Sequence, residues 1–353
     1  MQRGTDISRA ASILAAGGLV AFPTETVYGL GADAASAAAV ARVFAAKGRP
    51  RAHPLIVHLP AGARLDDWAV DVPDVASRLA TAAWPGPLTL ILTKSARVSD
   101  AATGGAPTVG LRVPAHPVAQ ALLAAFGGGI AAPSANRFGA VSPTTADHVA
   151  ADLGDDVDYI LDGGPCDVGV ESTIVDLSRG AAVLLRPGGL PRSAIEEIIG
   201  GPLVAADAAG LLGGAAGPAP SAPGTLASHY APDALVLAVP PGELHDAVMI
   251  ERATRAVAVL APYSVAAALA AQLQPGAPVD PFRTGGATLV GGVLILPLPD
   301  DDAGMARALY GALRDLDAAN VDVVIAALPP AVGLGEAVGD RLRRAAGPRR
   351  RHP

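Results

Sequence analysis

Cations and small hydroxyl or amide side chains recur along the first half of the chain at spacings suited to holding anions. Phe22–Gly31 reads Phe-Pro-Thr-Glu-Thr-Val-Tyr-Gly-Leu-Gly, a polar knot directly after the strand-like run Gly18–Phe22. Sixteen residues beyond Gly31 comes Lys47-Gly48-Arg49-Pro50, on the loop expected after a helix over Ala34–Ala46. Lys47 and Arg49 fit either an anionic ligand or the C-terminal end of a helix dipole. His53 and His58 flank Pro54–Val57, and His58 ends an apolar strand, where it is either satisfied in place or a substrate contact. A metal site needs more ligands than these two supply. Thr108 and Arg112 lie four apart on one face of a strand. A buried guanidinium there needs an anion, either a ligand carboxylate or phosphate, or Glu25 or Asp176 within the protein.

Further segments repeat the theme at strand exits and helix starts, positions that suit anion binding. Pro133-Ser134-Ala135-Asn136 follows the run Gly129–Ala132, and Ser142-Pro143-Thr144-Thr145 opens a helix, with Ser142 either an anion contact or an N-cap. Glu171-Ser172-Thr173 and Arg186-Pro187-Gly188-Gly189 come later. Gly29-Leu30-Gly31 approaches a dinucleotide fingerprint, but four polar residues separate it from the strand, and no Walker A sequence occurs. Cys166 has no evident histidine partner and is read as incidental.

These residues need elements to position them. Strands are expected at Leu19–Phe22, Leu55–Leu59, Leu88–Leu92, Val109–Val113, Ile130–Ala132, Ile174–Leu177 and Val183–Leu185. Helices are expected at Ile7–Ala16, Ala34–Ala46, Val72–Ala82, Val118–Ala125 and Ala146–Leu153. Several strands follow one another without a helix, so the fold class is α/β with a mixed sheet. Residues 202–232 are rich in Ala, Gly and Pro and read as a linker, ending in the docking segment His229-Tyr230-Ala231-Pro232. Strand-like and helical runs alternate again over 233–353, which argues a smaller Rossmann-like α/β domain. The first α/β domain is thereby expected at 1–201.

Composition narrows the function classes. The 353 residues are 51% hydrophobic and 17% charged, a globular balance, and the formal charge of −7 argues against a broad nucleic-acid footprint. An Arg-rich C-terminus, Arg341, Arg343, Arg344 and Arg349–Arg351, is either a solvated tail or a local RNA contact. A single cysteine excludes an intrachain disulfide and thiolate clusters. No signal-like or membrane-spanning run is evident, so a soluble, cytoplasmic protein is expected.

Taken together, these segments resemble the long, two-domain form of the YrdC-like threonylcarbamoyl-AMP synthase family. The resemblance rests on Phe22–Gly31, Lys47–Leu59, Trp84–Leu90, Val109–His116, Ala132–Gly139, Ser142–Thr145, Gly169–Val175, Leu185–Gly189, Pro223–Pro232 and Gly333–Ala345. It implies a YrdC-like twisted mixed sheet with flanking helices and a reaction of L-threonine, bicarbonate or CO2, and ATP, giving threonylcarbamoyl-AMP and pyrophosphate. The product would pass to the tRNA threonylcarbamoyl-transferase machinery, for the modified adenosine next to the anticodon.

Carried over by position, the resemblance assigns Thr26, His58, Arg112, Ala132 and Ser172 to L-threonine. It assigns Arg49, His53, Thr108, Ser134, Asn136, Ser142, Arg186 and Tyr230 to ATP. Lys47 and Arg49 become the catalytic cations, and Mg2+ is expected to ride on the ATP phosphates. Many relatives carry Asn where this chain has His53. Two rivals remain at this stage: an RNA-binding YrdC-like module without adenylate-forming activity, and a carbamoyl-transfer protein like hydrogenase maturation factors. Direct tRNA binding is disfavoured by the acidic balance.

Overall fold

The computed structural model describes residues 2–206, 222–224, 229–275 and 286–348. Two compact units divide the chain. One comprises residues 1–138 and 142–225; the other comprises 139–141 and 226–353. Most of the expected linker, and the arginines 349–351, lie outside the described residues.

In the first unit the described strands form one mixed sheet. They are β1 (Arg3–Gly4), β2 (Val20–Phe22), β3 (Gly29–Asp33), β4 (Ile56–His58), β5 (Leu88–Thr93), β6 (Thr108–Arg112), β7 (Ile130–Ala131), β8 (Tyr159–Leu161), β9 (Thr173–Asp176), β10 (Val183–Arg186) and β11 (Val204–Ala205). Their spatial order is β1-β8-β2-β3-β7-β4-β6-β5-β9-β10-β11. Parallel pairing joins β1 and β2 to β8, β4 to β6, β5 to β9 and β10 to β11; the other neighbours are antiparallel. Helices α1 (Ile7–Ala15), α2 (Ala37–Lys47), α3 (Asp74–Ala83), α4 (Asp100–Thr103), α5 (Pro117–Phe126), α6 (Ala146–Leu153) and α7 (Arg192–Ile199) complete the unit. The sheet strands carry apolar residues toward both faces, as burial between helices and loops requires.

The short strands fall close to the expected positions, and the departures have local causes. Gly29–Gly31, expected as the end of the polar knot, instead opens β3, antiparallel to β2 through Phe22↔Gly29 and Val20↔Gly31. Small residues suit this crowded register. A Cβ on Gly31 would stand 2.7 Å from Ile130 Cγ2 and 2.8 Å from Phe22 Cε1. The glycine spacing that approaches a dinucleotide fingerprint therefore serves sheet packing. Lys47 is not on a loop but is the last residue of α2, which Gly48 closes. Ser142 is not an N-cap, because Thr145 caps α6 by accepting from His148 N. Tyr159–Leu161 was not expected as a strand; three residues beside Asp156 and Asp158 carry too short an apolar signal.

The second unit contains β12 (Leu235–Val239), β13 (Val257–Pro262), β14 (Thr288–Val290), β15 (Val293–Leu298) and β16 (Val323–Ala327). The order is β12-β16-β13-β15-β14, parallel except for β14, as expected of a small Rossmann-like sheet. Helices α8 (Leu244–Glu251), α9 (Tyr263–Leu273), α10 (Asp302–Ala318) and α11 (Gly335–Ala345) accompany it. Among the described residues, no helix is long and apolar enough to cross a membrane.

Candidate active site

The assigned residues of the first unit come from strand ends and the loops beside them, and backbone hydrogen bonds knit those loops together. Tyr28 N donates to Pro143 O at 2.9 Å, Ala135 N to Tyr28 O at 2.8 Å, and Val168 N to Glu25 O at 2.7 Å. The Thr24–Tyr28 loop is thus bound to the segments carrying Ser134 and Ser142. Thr26 is fully buried, and its hydroxyl lies 2.7 Å from that of Thr24. Thr24 gives its single hydroxyl hydrogen to Val27 O, so Thr26 donates to Thr24 and keeps its own lone pairs for another donor.

His58 and Arg112 are register partners at the ends of parallel strands β4 and β6. Arg112 donates through Nε to Gly86 O at 3.2 Å, and its Nη2 lies 2.7 Å from Glu25 Oε1. Of the two protein anions considered from sequence, Glu25 meets Arg112, whereas Asp176 pairs with Arg179. His58 packs edge-on against Phe22, with ring centroids 5.9 Å apart. Burial first, and the Arg112 guanidinium second, push the His58 imidazole down to about 3, so it is neutral near pH 7. Its Nδ1 is buried without a hydrogen-bond partner.

Ser172 precedes β9, and its hydroxyl lies 2.8 Å from that of Thr89 on β5. Arg186 donates twice to the Ser172 carbonyl, from Nη2 at 2.8 Å and from Nε at 3.2 Å, and from Nη1 to Pro223 O at 2.8 Å. The turn after Arg186 lies directly on this segment. A Cβ on Gly188 would stand 2.3 Å from Glu171 O and 2.4 Å from the Ser172 carbonyl carbon. Ser142 Oγ donates to Glu171 Oε1 at 2.6 Å, and both side chains are buried. Ala132 is buried after β7, with its N–H on Ile56 O at 2.9 Å.

The cations expected at the phosphates occupy a second group. Lys47 is buried, and its Nζ donates to Ser134 O at 2.6 Å and to Asn136 O. Burial, with repulsion from Arg49 next, holds its amine well below the usual lysine range. Arg49 donates to Pro54 O at 3.1 Å and stands over the Phe138 ring, 5.7 Å from its centroid. His53 meets the same ring edge-on at 5.5 Å. Thr108 begins β6 and Arg112 ends it, about 13 Å apart at the rise of an extended strand. One small ligand group cannot touch both.

Glu25, Thr89, Phe138 and Glu171 join these clusters without having been assigned from sequence. Glu25 was considered only as a structural partner. Thr89 sits in an apolar strand with no local sign of its contact with Ser172. Tyr230 belongs to the second unit, where its ring is buried, stacked on Tyr310 at 5.7 Å and covered by Arg341 at 5.2 Å. Cys166 is buried, and burial raises its thiol, in keeping with an inert residue. Arg341 is also fully buried and pairs with Asp340 at 2.6 Å, so the C-terminal basic cluster is in part structural.

Comparison with known proteins sets these clusters in a family. Residues 12–188 match the Sua5/YciO/YrdC family model, described as "Telomere recombination". Residues 190–347 match the model described as "Threonylcarbamoyl-AMP synthase, C-terminal domain". A threonylcarbamoyl-AMP synthase of Pyrococcus abyssi is 42% identical over 338 residues, covering 96% of this chain and 93% of the relative. Another, from Bacillus subtilis, is 39% identical over 97% of this chain and 93% of its own length. The crystal structure of P. abyssi Sua5 complexed with L-threonine superposes with a TM-score of 0.82 at 39% identity, covering 98% of this chain and 96% of that one. Two adjoining family models and relatives matched along nearly their whole lengths leave one conclusion: the chain belongs to the threonylcarbamoyl-AMP synthase family.

Proposed function

We propose that the residues gathered in the first unit divide the work of a threonylcarbamoyl-AMP synthase, an enzyme of nucleotidyl transfer acting on L-threonine and ATP. Thr26, His58, Arg112, Ala132 and Ser172 hold the amino acid, with Arg112 on its carboxylate. Arg49, His53, Thr108, Ser134, Asn136, Ser142 and Arg186 hold ATP. Bicarbonate or CO2 supplies the carbamoyl carbon. The threonine ammonium gives up a proton to water, the free amine attacks that carbon with loss of a second proton (and of water where the donor is bicarbonate), and a carbamate oxygen displaces pyrophosphate from the α-phosphorus. Neither step calls for a protein nucleophile. Positioning and charge stabilisation are the protein's contribution.

The observation that supports this division is the buried Arg112 guanidinium, whose Nη2 has no aligned hydrogen bond in the protein. It stands 2.7 Å from Glu25 Oε1 beside His58, a fixed cation with which a substrate carboxylate can pair. Arg49 and Arg186 offset phosphate charge, while Lys47 braces the loop that carries Ser134 and Asn136. Mg2+ rides on the phosphates and water, where it would further neutralise the triphosphate. Among the described residues no group of three His, Cys, Asp or Glu side chains is placed to hold a metal ion.

In this reading the catalytic domain runs past the expected boundary at 201 to include β11 (Val204–Ala205), and the chain from 233 onward is a C-terminal domain. The enzyme works in the cytoplasm and hands its product to the tRNA threonylcarbamoyl-transferase machinery. The test is pyrophosphate release from ATP with labelled bicarbonate and a panel of amino acids. Release dependent on L-threonine, with label in an adenylate, is expected. Equal release with serine or glycine would overturn the substrate assignment.

A further inference from the structure

Glu25 meets Arg112 in a way that a purely structural ion pair does not explain. Both side chains are more than nine-tenths buried. Each is fastened on one side: Glu25 Oε2 accepts from Ala115 N at 3.0 Å, and Arg112 Nε donates to Gly86 O at 3.2 Å. The facing atoms, Glu25 Oε1 and Arg112 Nη2, stand 2.7 Å apart, yet neither has an aligned hydrogen bond. A buried ion pair offsets the loss of hydration only when its geometry is good and its remaining hydrogen bonds are complete. Here one acceptor and one donor stand at ion-pair distance without being aligned to each other. His58 Nδ1, on the register partner of Arg112, is a third buried polar atom without a hydrogen bond.

An anion and a cation held next to each other match a zwitterion. A free α-amino acid presents its carboxylate and its ammonium group on one carbon. We propose that Glu25 receives the ammonium group of the amino-acid substrate, so that the Glu25–Arg112 pair selects α-amino acids over hydroxy acids. The proposal rests on the Arg112 pocket being the amino-acid site. Arg112 takes the carboxylate and Glu25 the ammonium group, leaving the side-chain hydroxyl to His58 and Thr26. A zwitterion leaves the pocket charge-balanced. A hydroxy acid such as (R)-3-hydroxybutanoate, which is L-threonine without its amine, brings only a negative charge beside Glu25. That repulsion is the source of selectivity.

The experiment compares L-threonine binding by calorimetry with competitive inhibition by (R)-3-hydroxybutanoate, on the full chain and on Glu25→Gln. The unaltered protein should prefer L-threonine at least tenfold. Glu25→Gln should lose roughly 10- to 100-fold in L-threonine affinity, the range for a hydrogen bond to a charged group. It should be inhibited by (R)-3-hydroxybutanoate at least as well as the unaltered protein. Parallel loss of both ligands, or no inhibition of the variant, would mean that Glu25 merely orients Arg112. Unchanged L-threonine affinity would also overturn the proposal. Should Glu25→Gln fail to fold, Glu25→Asp serves: it keeps the charge but withdraws the carboxylate, and should reduce the preference for L-threonine without abolishing it. An unchanged preference in Glu25→Asp counts against the proposal. Arg112→Gln separates the underlying reading, because undiminished L-threonine binding there would remove the pocket from the amino-acid site altogether.

Discussion

Lys47 Nζ lies 2.6 Å from the Ser134 carbonyl oxygen and donates to it, tying the last residue of α2 to the loop after β7. A second donation to Asn136 O makes this a two-point clamp. Lys47→Met removes both donors from a buried setting. We expect a loss of about 1–3 kcal/mol in stability, since a buried acceptor without its donor carries that penalty. The KM for ATP should rise with it as Ser134 and Asn136 shift. An unchanged melting temperature with only the ATP KM raised would mean that Lys47 acts on the phosphates directly.

Removing one member of the Glu25–Arg112 pair strands the other. Arg112→Met should destabilise the fold by about 3–5 kcal/mol by leaving a buried charge unpaired. The double replacement Glu25→Met with Arg112→Met should recover most of that loss in urea unfolding. Neither variant should bind L-threonine in calorimetry. Recovered binding in the double variant would show that the guanidinium is there for the fold alone.

His58 makes stability depend on pH in a defined direction. Its folded-state value of about 3 lies below the ordinary 6.5. Between these values the unfolded chain binds a proton at this residue and the folded chain does not. The contribution of neutral His58 is therefore complete above about 6.5 and is lost as pH falls toward 3, at about 1.4 kcal/mol per pH unit. Urea unfolding at pH 7, 6, 5 and 4 should show a shallower decline for His58→Gln than for the unaltered chain. Equal slopes would assign the dependence to other groups.

Gly188→Ala tests the contact between the Arg186 turn and the Glu171–Ser172 segment. A Cβ at this position would stand 2.3 Å from the Glu171 carbonyl oxygen, a backbone atom held in the loop. The loop must shift, moving Ser172 and Arg186 together. Loss of both L-threonine and ATP affinity, with a lower melting temperature, is the expected outcome. A change confined to one substrate would show that the two residues move independently.

Much of this is legible in the sequence. The strands carrying His58 and Arg112 announce themselves by the apolar runs Leu55–Leu59 and Val109–Val113, each broken by one polar residue. Thr108 and Arg112 share a strand face by periodicity alone, and β6 spans both. Gly29–Asp33 misled because its glycines imitate a loop motif, whereas their small size answers crowding from Phe22 and Ile130 across the sheet. Lys47 reads as a loop residue because the helical pattern Ala34–Ala46 stops before it, but its own backbone remains helical and its side chain is buried. Thr89 and Phe138 were missed because their partners, Ser172 and Arg49, are distant in sequence.

The sequence by itself determined the family, the mixed α/β class and the roster of candidate anion-binding side chains, because residue types and local periodicity are properties of the chain. Which of those side chains face one another was decided only by tertiary structure. Glu25 and Asp176 were equal candidates for Arg112 until the pairing of β4 with β6 and the fastening of the Thr24–Tyr28 loop brought Glu25 to 2.7 Å. Strand order and register are long-range choices, made by the packing of the whole sheet, and a local stretch of sequence does not encode them.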